Sequence, residues 1–364
     1  MPNTCEYCGC PLDEDDVYIH DNVIMCADCY DDNTRECGCC NRRIWNDDDE
    51  GDDNVTLCAS CRENNYTTCE SCGRLIHEND AYYDDDDDYP YCYSCYHNSG
   101  RRKAIHNYSF KPDPIFYGSE KIYMGVELEI DSGGCDDDNA QILLDIANCD
   151  NEHMYIKTDG SLNTGMELVT HPMTLEYHIN HMSWAEICEK AVRLGYRSHK
   201  TTTCGLHIHV NRTAFGSDRD EQEICISRIL FFVERFWQEL LRFSRRTESQ
   251  INRWAARYGI KDNPKQVLDN AKSKGNGRYA SVNLCNYSTI EFRIFRGTLK
   301  YNTLIATLQM VDRICRLAIE MTDEQLTAMS WPEFAESITE PELIQYLKER
   351  RLYINEPITE TEEF

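Results

Sequence analysis

The chain has 364 residues, 41% hydrophobic and 28% charged, and a formal net charge of −27. That length accommodates one sizeable domain and several smaller ones. No run approaches the ~18 apolar residues of a membrane span and the opening Met-Pro-Asn-Thr-Cys-Glu has no signal-peptide character, so no membrane partner and a cytoplasmic, reducing setting are expected.

The charge is concentrated at the front, where residues 1–99 hold 25 Asp and Glu against 5 Arg. Phosphate binding needs clustered Lys and Arg, so nucleic acid is excluded as the partner of this region. Acidic loops there suit a basic protein surface, or serve solubility alone.

Of 21 cysteines, fourteen fall within the first 95 residues and twelve of these form six CxxC pairs. Cys5 and Cys8 go with Cys26 and Cys29, Cys37 and Cys40 with Cys58 and Cys61, and Cys69 and Cys72 with Cys92 and Cys95. The first pairs recur every 32 residues, an internal repeat of three units, with the third lengthened around Asp84 to Asp88. CxxC turns two thiolates onto one cation, and two such loops complete a tetrahedral four-sulfur site, so three structural Zn²⁺ are expected. Units this small need the metal to fold. Cys10 and Cys39 have no counterparts in the other copies and are not expected as ligands, and His20 and His77 read as surface residues in preference to substitute ligands. The modules are of the zinc-ribbon or treble-clef type, between which spacing does not choose. Module boundaries are expected at 1–32, 33–64 and 65–98, followed by a Gly- and Pro-bearing linker over 99–120 with the basic run Arg101 to Lys103.

Residues 122–130, Ile-Tyr-Met-Gly-Val-Glu-Leu-Glu-Ile, alternate apolar and acidic side chains, the mark of a half-buried strand. Glu127 and Glu129 then stand on one face about 7 Å apart, a hard-oxygen site for a divalent cation, although paired acids also serve solubility. A short helix over Asn139–Cys149 follows, then a strand from Tyr155 to Leu162 that ends in an Asp-Gly turn presenting Lys157, Asp159 and Ser161. Three more segments repeat the pattern: Glu167, Val169 and His171 on one, His207 and His209 on the next, Glu291 and Arg293 on the last. One sheet carrying acids, imidazoles and a guanidinium on one face is a poor core and a good active-site floor. Helices are expected at Thr174–Leu194, Glu221–Arg246 and Tyr301–Met321, with short polar helices and an acidic tail after them. Arg245, Arg246, Arg253 and Arg257 are solvated or meet phosphates, and Lys261–Arg278 reads as a mobile loop. The fold class is α+β, a mainly antiparallel sheet with helices on one face, preceded by the three small four-cysteine zinc modules.

Taken together, Met-Gly-Val-Glu-Leu-Glu (124–129), Asp-Gly-Ser-Leu (159–162), Glu-Leu-Val-Thr-His-Pro (167–172), Cys-Gly-Leu-His-Ile-His-Val (204–210) and the run from Tyr279 to Leu299 resemble the amidoligase family. That family lies in the glutamine synthetase and γ-glutamylcysteine synthetase superfamily of carboxylate-amine ligases. The resemblance covers roughly 120–322, placing a catalytic domain at 121–322 and a helical extension at 323–364. It implies a glutamine synthetase-like sheet and an ATP-dependent amide-forming ligase. Glu127, Glu129, Glu167, His207 and Glu291 are then the Mg²⁺ (or Mn²⁺) ligands, and Arg293 contacts the transferring phosphoryl group or the substrate. His209, Arg278, Lys157 and Asp159 are further candidates for nucleotide or amine. The chemistry suits these residues: a carboxylate becomes reactive as an acyl phosphate, a step that needs charge neutralisation, and the attacking amine must lose a proton, which Asp159 can accept. The partners expected are a protein or peptide held by the zinc modules and an amino acid or amine. Two other readings stand beside this one, a metal-dependent hydrolase and an inactive zinc-ribbon adaptor.

Overall fold

A computed structural model describes residues 4–12, 17–83, 89–97, 104–201, 203–273 and 277–353, without the side chains at 248, 249, 252 and 278. Asp84 to Asp88, the basic run 101–103 and the acidic tail from 354 therefore lie outside the described residues. The chain divides into two compact units, Met1–Pro112 and Asp113–Phe364.

In the first unit the same local geometry appears three times. After the first cysteine of each copy the chain folds back on itself, so that Cys5, Cys37 and Cys69 donate their N–H to the carbonyls of Cys10, Arg42 and Arg74. Such a turn needs a left-handed residue, and Gly9, Asn41 and Gly73 supply it at φ 75°, 59° and 72°. A short hairpin follows in the first copy, at Tyr18–His20 and Val23–Met25. The second CxxC pair opens a short helix each time: Cys26 precedes Ala27–Asn33, Cys58 precedes Ala59–Asn65, and Cys92 precedes Tyr93–His97. One pair on a turn and one on a helix is a treble-clef arrangement, the alternative that spacing had left open. Residues 104–110, expected within an irregular linker, instead pack on the third copy, where Asn107 N–H bonds Cys72 O and Ser109 Oγ bonds Gly73 O at 2.9 Å.

The second unit is built on a sheet whose strands here are β1 (Met124–Ile130), β2 (Met154–Lys157), β3 (Met166–Thr170), β4 (Gly205–Asn211), β5 (Val282–Asn283) and β6 (Thr289–Arg296). Within this unit their order is β5-β6-β4-β1-β3-β2, every pairing antiparallel. The glutamate strand is thus central. Val126, Leu128, Ile130, Leu206, Ile208 and Phe292 are buried to 0% exposure, and together they form the apolar face that alternation predicts.

The helices are α1 (Asp137–Ala147), α2 (Leu175–Asn180), α3 (Trp184–Arg193), α4 (Arg219–Arg235), α5 (Trp237–Ser244), α6 (Glu248–Trp254), α7 (Pro264–Ser273), α8 (Tyr301–Glu320), α9 (Asp323–Ala328), α10 (Trp331–Glu336) and α11 (Pro341–Glu349). Two expected helices are each broken in two. Thr174 caps α2 as expected, but the helix stops at His181, and the chain restarts at Trp184 so that its ring is buried. The other break is at Phe236 (φ −99°, ψ 34°), which turns its ring onto Phe232 and Trp331. Periodicity did not reveal either break, because the apolar spacing continues across both. The expected mobile loop at 261–278 holds α7, whose Val267 and Leu268 are buried and which packs on α4. The C-terminal helices belong to the same core, since Phe334 is 0% exposed against Phe232, a burial that contributes about 2–3 kcal/mol.

Candidate active site

Register sets the site. Glu127 lies opposite Val169 on one side and His207 on the other, Glu129 opposite Glu167, His209 opposite Glu291, and Glu167 opposite Lys157. Residues directly opposite share a face, so the acids, both imidazoles and the lysine gather on one side of the sheet. His207 Nδ1 stands 3.5 Å from Glu127 Oε2 and 3.7 Å from Glu291 Oε1, and His209 Nε2 is 3.2 Å from Glu127 Oε1. Lys157 Nζ reaches Glu167 Oε2 at 3.1 Å. Arg293 donates through Nη1 to Glu291 Oε1, while its buried Nε has no hydrogen-bond partner among the described residues.

These groups form two overlapping metal-ligand sets. Glu127, His207 and Glu291 bring one donor atom each within 4.8 Å of the others, and so do Glu129, Glu167 and His207. The shared imidazole ties the two together. Oxygen-rich sets with one imidazole suit Mg²⁺ or Mn²⁺.

The electrostatics favour a cation. Burial works against the charge of Glu127 and Glu291, but His209 and His207 outweigh it and hold both carboxyls below their usual range. Glu167 is driven the other way, well above the carboxylate range, by burial and the nearby Glu127, with Lys157 offsetting only part of this. Glu129 is also raised, chiefly by burial. Two buried carboxyls facing each other across a strand pair disfavour each other's charge, a repulsion that a divalent cation between them would relieve.

The remaining candidates differ in position. Asp159 accepts the Ser161 N–H at 2.6 Å, acting as a turn former, yet its charge is felt at Glu129 and Glu167. The side chain of Arg278 lies outside the described residues. His171 leaves the site at the end of its strand, accepting the Ile115 N–H at 3.3 Å. Arg257 is committed to Glu234 at 2.9 Å, and Arg253 stands over the Trp254 ring. Cys204 is a packed thiol, which burial pushes up to about 12.

Three contributors lay outside the sequence-derived set. Asn283 donates to Glu291 Oε2 at 2.8 Å, orienting that carboxylate. Asp131 accepts the N–H groups of Asn163 and Thr164 and the Thr203 hydroxyl at 3.1, 2.8 and 2.8 Å, fixing the loop that follows Asp159. Gly205 donates its N–H to Glu129, and a Cβ on it would lie 2.6 Å from both Arg246 Nη2 and His207 Nε2. Glycine ahead of the histidine strand was a signal for this close approach; Asn283 lay within the run from Tyr279 to Leu299 with no role assigned to it.

In the first unit, each set of four cysteines converges with its sulfurs within 4.8 Å of one another. Cross-pair sulfur distances of 3.8 Å (Cys8 to Cys26), 3.9 Å (Cys40 to Cys58) and 3.8 Å (Cys72 to Cys92) match the ~3.8 Å edge of a tetrahedron with 2.3 Å zinc–sulfur bonds. The three groups therefore fit three zinc ions. Cys10, Cys39, His20 and His77 belong to none of them.

Comparison with known proteins bears on the second unit. Residues 138–315 match the model of a family described as "putative amidoligase enzyme". The match includes Glu167, His207, His209, Glu291 and Arg293, and begins just after the strand of Glu127 and Glu129. Among solved structures, a bifunctional glutathione synthetase from Pasteurella multocida aligns at 13% identity and a TM-score of 0.36, over 63% of this chain and 46% of that one, so the chain spans about half the length of that relative. No curated protein matches. No helix among the described residues is long and apolar enough to cross a membrane.

Proposed function

We propose, from the premise that residues 138–315 belong to the amidoligase family, that this chain is an ATP-dependent ligase joining a carboxylate to an amine through an acyl phosphate. One observation carries the reading: two acid-and-histidine sets share His207 on a rigid sheet face, with Arg293 at their edge. The sheet is, on this reading, glutamine synthetase-like. Glu127, Glu129, Glu167, His207 and Glu291 would hold Mg²⁺ or Mn²⁺, which neutralises the phosphates of ATP and orients the terminal one.

A substrate carboxylate oxygen attacks the γ-phosphorus, and the bond to ADP breaks. Arg293, anchored on Glu291, would set its guanidinium charge beside the charge that develops on the phosphoryl oxygens. The amine nitrogen then attacks the acyl carbon, phosphate leaves, and Asp159 accepts the proton. Lys157 has a positioning role, holding Glu167 by its ion pair. His209 plays a similar part, bridging Glu127 and the Thr289 hydroxyl at 3.2 Å. Four sulfurs close each zinc shell, which leaves the modules to recruit a protein or peptide substrate. Reduced thiolates suit a cytoplasmic setting.

The test is ADP release from ATP and Mg²⁺ with candidate acids and amines. Wild type should release ADP and Glu127→Gln should not; equal turnover by the variant would overturn the assignment.

A further inference from the structure

Beside the acidic floor lies a cavity of opposite charge. It measures about 700 Å³, within the range of ligand pockets, and is lined by Arg242, Arg245, Arg246, Arg296, Arg350 and Arg351, with Glu239 as its single lining carboxylate. Six guanidinium groups around one cavity are unexpected in a chain of net charge −27. None of the six forms an ion pair among the described residues: Arg350 donates to the Arg242 carbonyl, Arg246 to that of Phe295 and Arg296 to that of Thr201. Arg296 Nε is buried without a hydrogen-bond partner among the described residues. Burial first, then the guanidinium groups of Arg245, Arg296 and Arg350, lower the adjacent His199 to about 4. Burial also lowers Arg246 to about 10, with Glu129 opposing and Arg293 and Arg296 adding to it.

The backbone adds an independent observation. Among the described residues, six non-glycine positions have positive φ; four are Asp, Asn or Ser, and the other two are Arg245 (φ 60°) and Arg351 (φ 54°). Both arginines follow the last turn of a helix, α5 and α11, where a left-handed residue, usually glycine, closes the C-terminus. Glycine would fill either cap with less strain, yet both positions carry an arginine, and both line one cavity.

We propose that this cavity binds an acidic peptide segment, and that this segment is the carboxylate substrate. Guanidinium forks bind carboxylate and phosphate alike, and the layout favours the former. The six are spread over three chain segments rather than aimed at one point, and no lysine lines the cavity. Leu241, Pro332 and Leu352 between them suit the methylenes of glutamate side chains. Arg246 joins the cavity to the metal-ligand face, because it flanks Gly205 together with His207. An acidic chain seated on the arginines therefore has a path to deliver one carboxylate to the reacting end. The substrate role rests on the ligase reading; the binding itself does not.

The experiment uses full-length protein and fluorescein-labelled hexaglutamate, followed by anisotropy without ATP or added divalent ion. Wild type should bind, hexaglutamine should not, and Arg350→Gln should weaken binding at least tenfold. Arg245→Gly relieves backbone strain while removing one charge, so it should melt no lower than wild type and still bind at least tenfold more weakly. Unchanged binding by both variants, equal binding of hexaglutamine, or binding of inorganic triphosphate but not hexaglutamate would overturn the proposal. A second arm adds ATP, Mg²⁺ and hydroxylamine, which traps an acyl phosphate as a hydroxamate. Binding without hydroxamate or ADP would remove the substrate role while the anion pocket stands, and the ligase reading falls only if ADP release also fails with every candidate acid and amine. ADP release with another acid and no hexaglutamate binding would do the reverse.

Discussion

Replacing Gly205 by alanine would test the site through a single methyl group. Gly205 lies within a strand and its φ is one that any residue adopts, so the backbone resists nothing. The added Cβ would stand 2.6 Å from His207 Nε2 and from Arg246 Nη2. Ordinary contact needs about 3.5 Å, so each group must withdraw by about 1 Å. Metal ligands tolerate displacements of only about 0.2 Å, and His207 belongs to both ligand sets, so both lose geometry together. Weakened support of this kind typically reduces metal affinity about 10- to 100-fold, and overpacking costs about 1–3 kcal/mol of stability. Mn²⁺ titration by calorimetry, with the zinc modules already loaded, should show that loss in Gly205→Ala. Gly160→Ala, which has open space around its Cβ, should bind as wild type does. Wild-type affinity in Gly205→Ala would refute the placement of His207 among the ligands.

Acid should destabilise the second unit through His178. Trp184 Nε1 donates to its Nδ1 at 3.3 Å, so its Nε2 carries the proton and donates to Met124 O at 2.9 Å. Burial lowers this imidazole to about 4. The unfolded chain takes a proton near pH 6.5, so the contribution is full above that pH and is lost as pH falls toward 4, by up to about 3 kcal/mol. Urea unfolding at pH 7 and pH 4.5 should show a smaller pH slope in His178→Asn. Asp131→Ala should cost about 3–5 kcal/mol in thermal melts, because four donors, the N–H groups of Ser132, Asn163 and Thr164 and the Thr203 hydroxyl, lose a charged acceptor in a largely buried setting. The Asp131 carboxyl is lowered: burial opposes this, but the bonds from Thr164, Thr203 and Asn163 prevail, so its contribution is present above about pH 4 and is lost as pH falls further. Metal analysis should find three zinc ions per chain, and two in Cys37→Ser.

Much of the candidate site was legible in the sequence because alternation in a strand is strict. Glu127 with Glu129, and His207 with His209, each had to share a face once the segment was read as a strand. The order β6-β4-β1-β3 that aligns them was not legible, since pairing partners leave no mark in any one strand. Helix breaks at His181 and Phe236 were hidden for a similar reason: distant rings, Trp184 in its buried slot and Trp331 against Phe236, decide where the chain turns. Spacing predicted the cysteine clusters fully, because metal geometry constrains short intervals. The arginine cavity was half visible. Arg245 and Arg246 stood out as potential phosphate contacts, but Arg296, Arg350 and Arg351 are brought beside them only by the fold.

The central claim is that acids and imidazoles from four strands hold divalent cations against a nucleotide. Its most direct test is anomalous diffraction at the manganese edge from crystals grown with Mn²⁺ and a non-hydrolysable ATP analogue. Peaks are predicted between Glu127, His207 and Glu291 and between Glu129, Glu167 and His207, each touching the terminal phosphate. A nucleotide bound elsewhere, or a sheet face free of manganese, would contradict it.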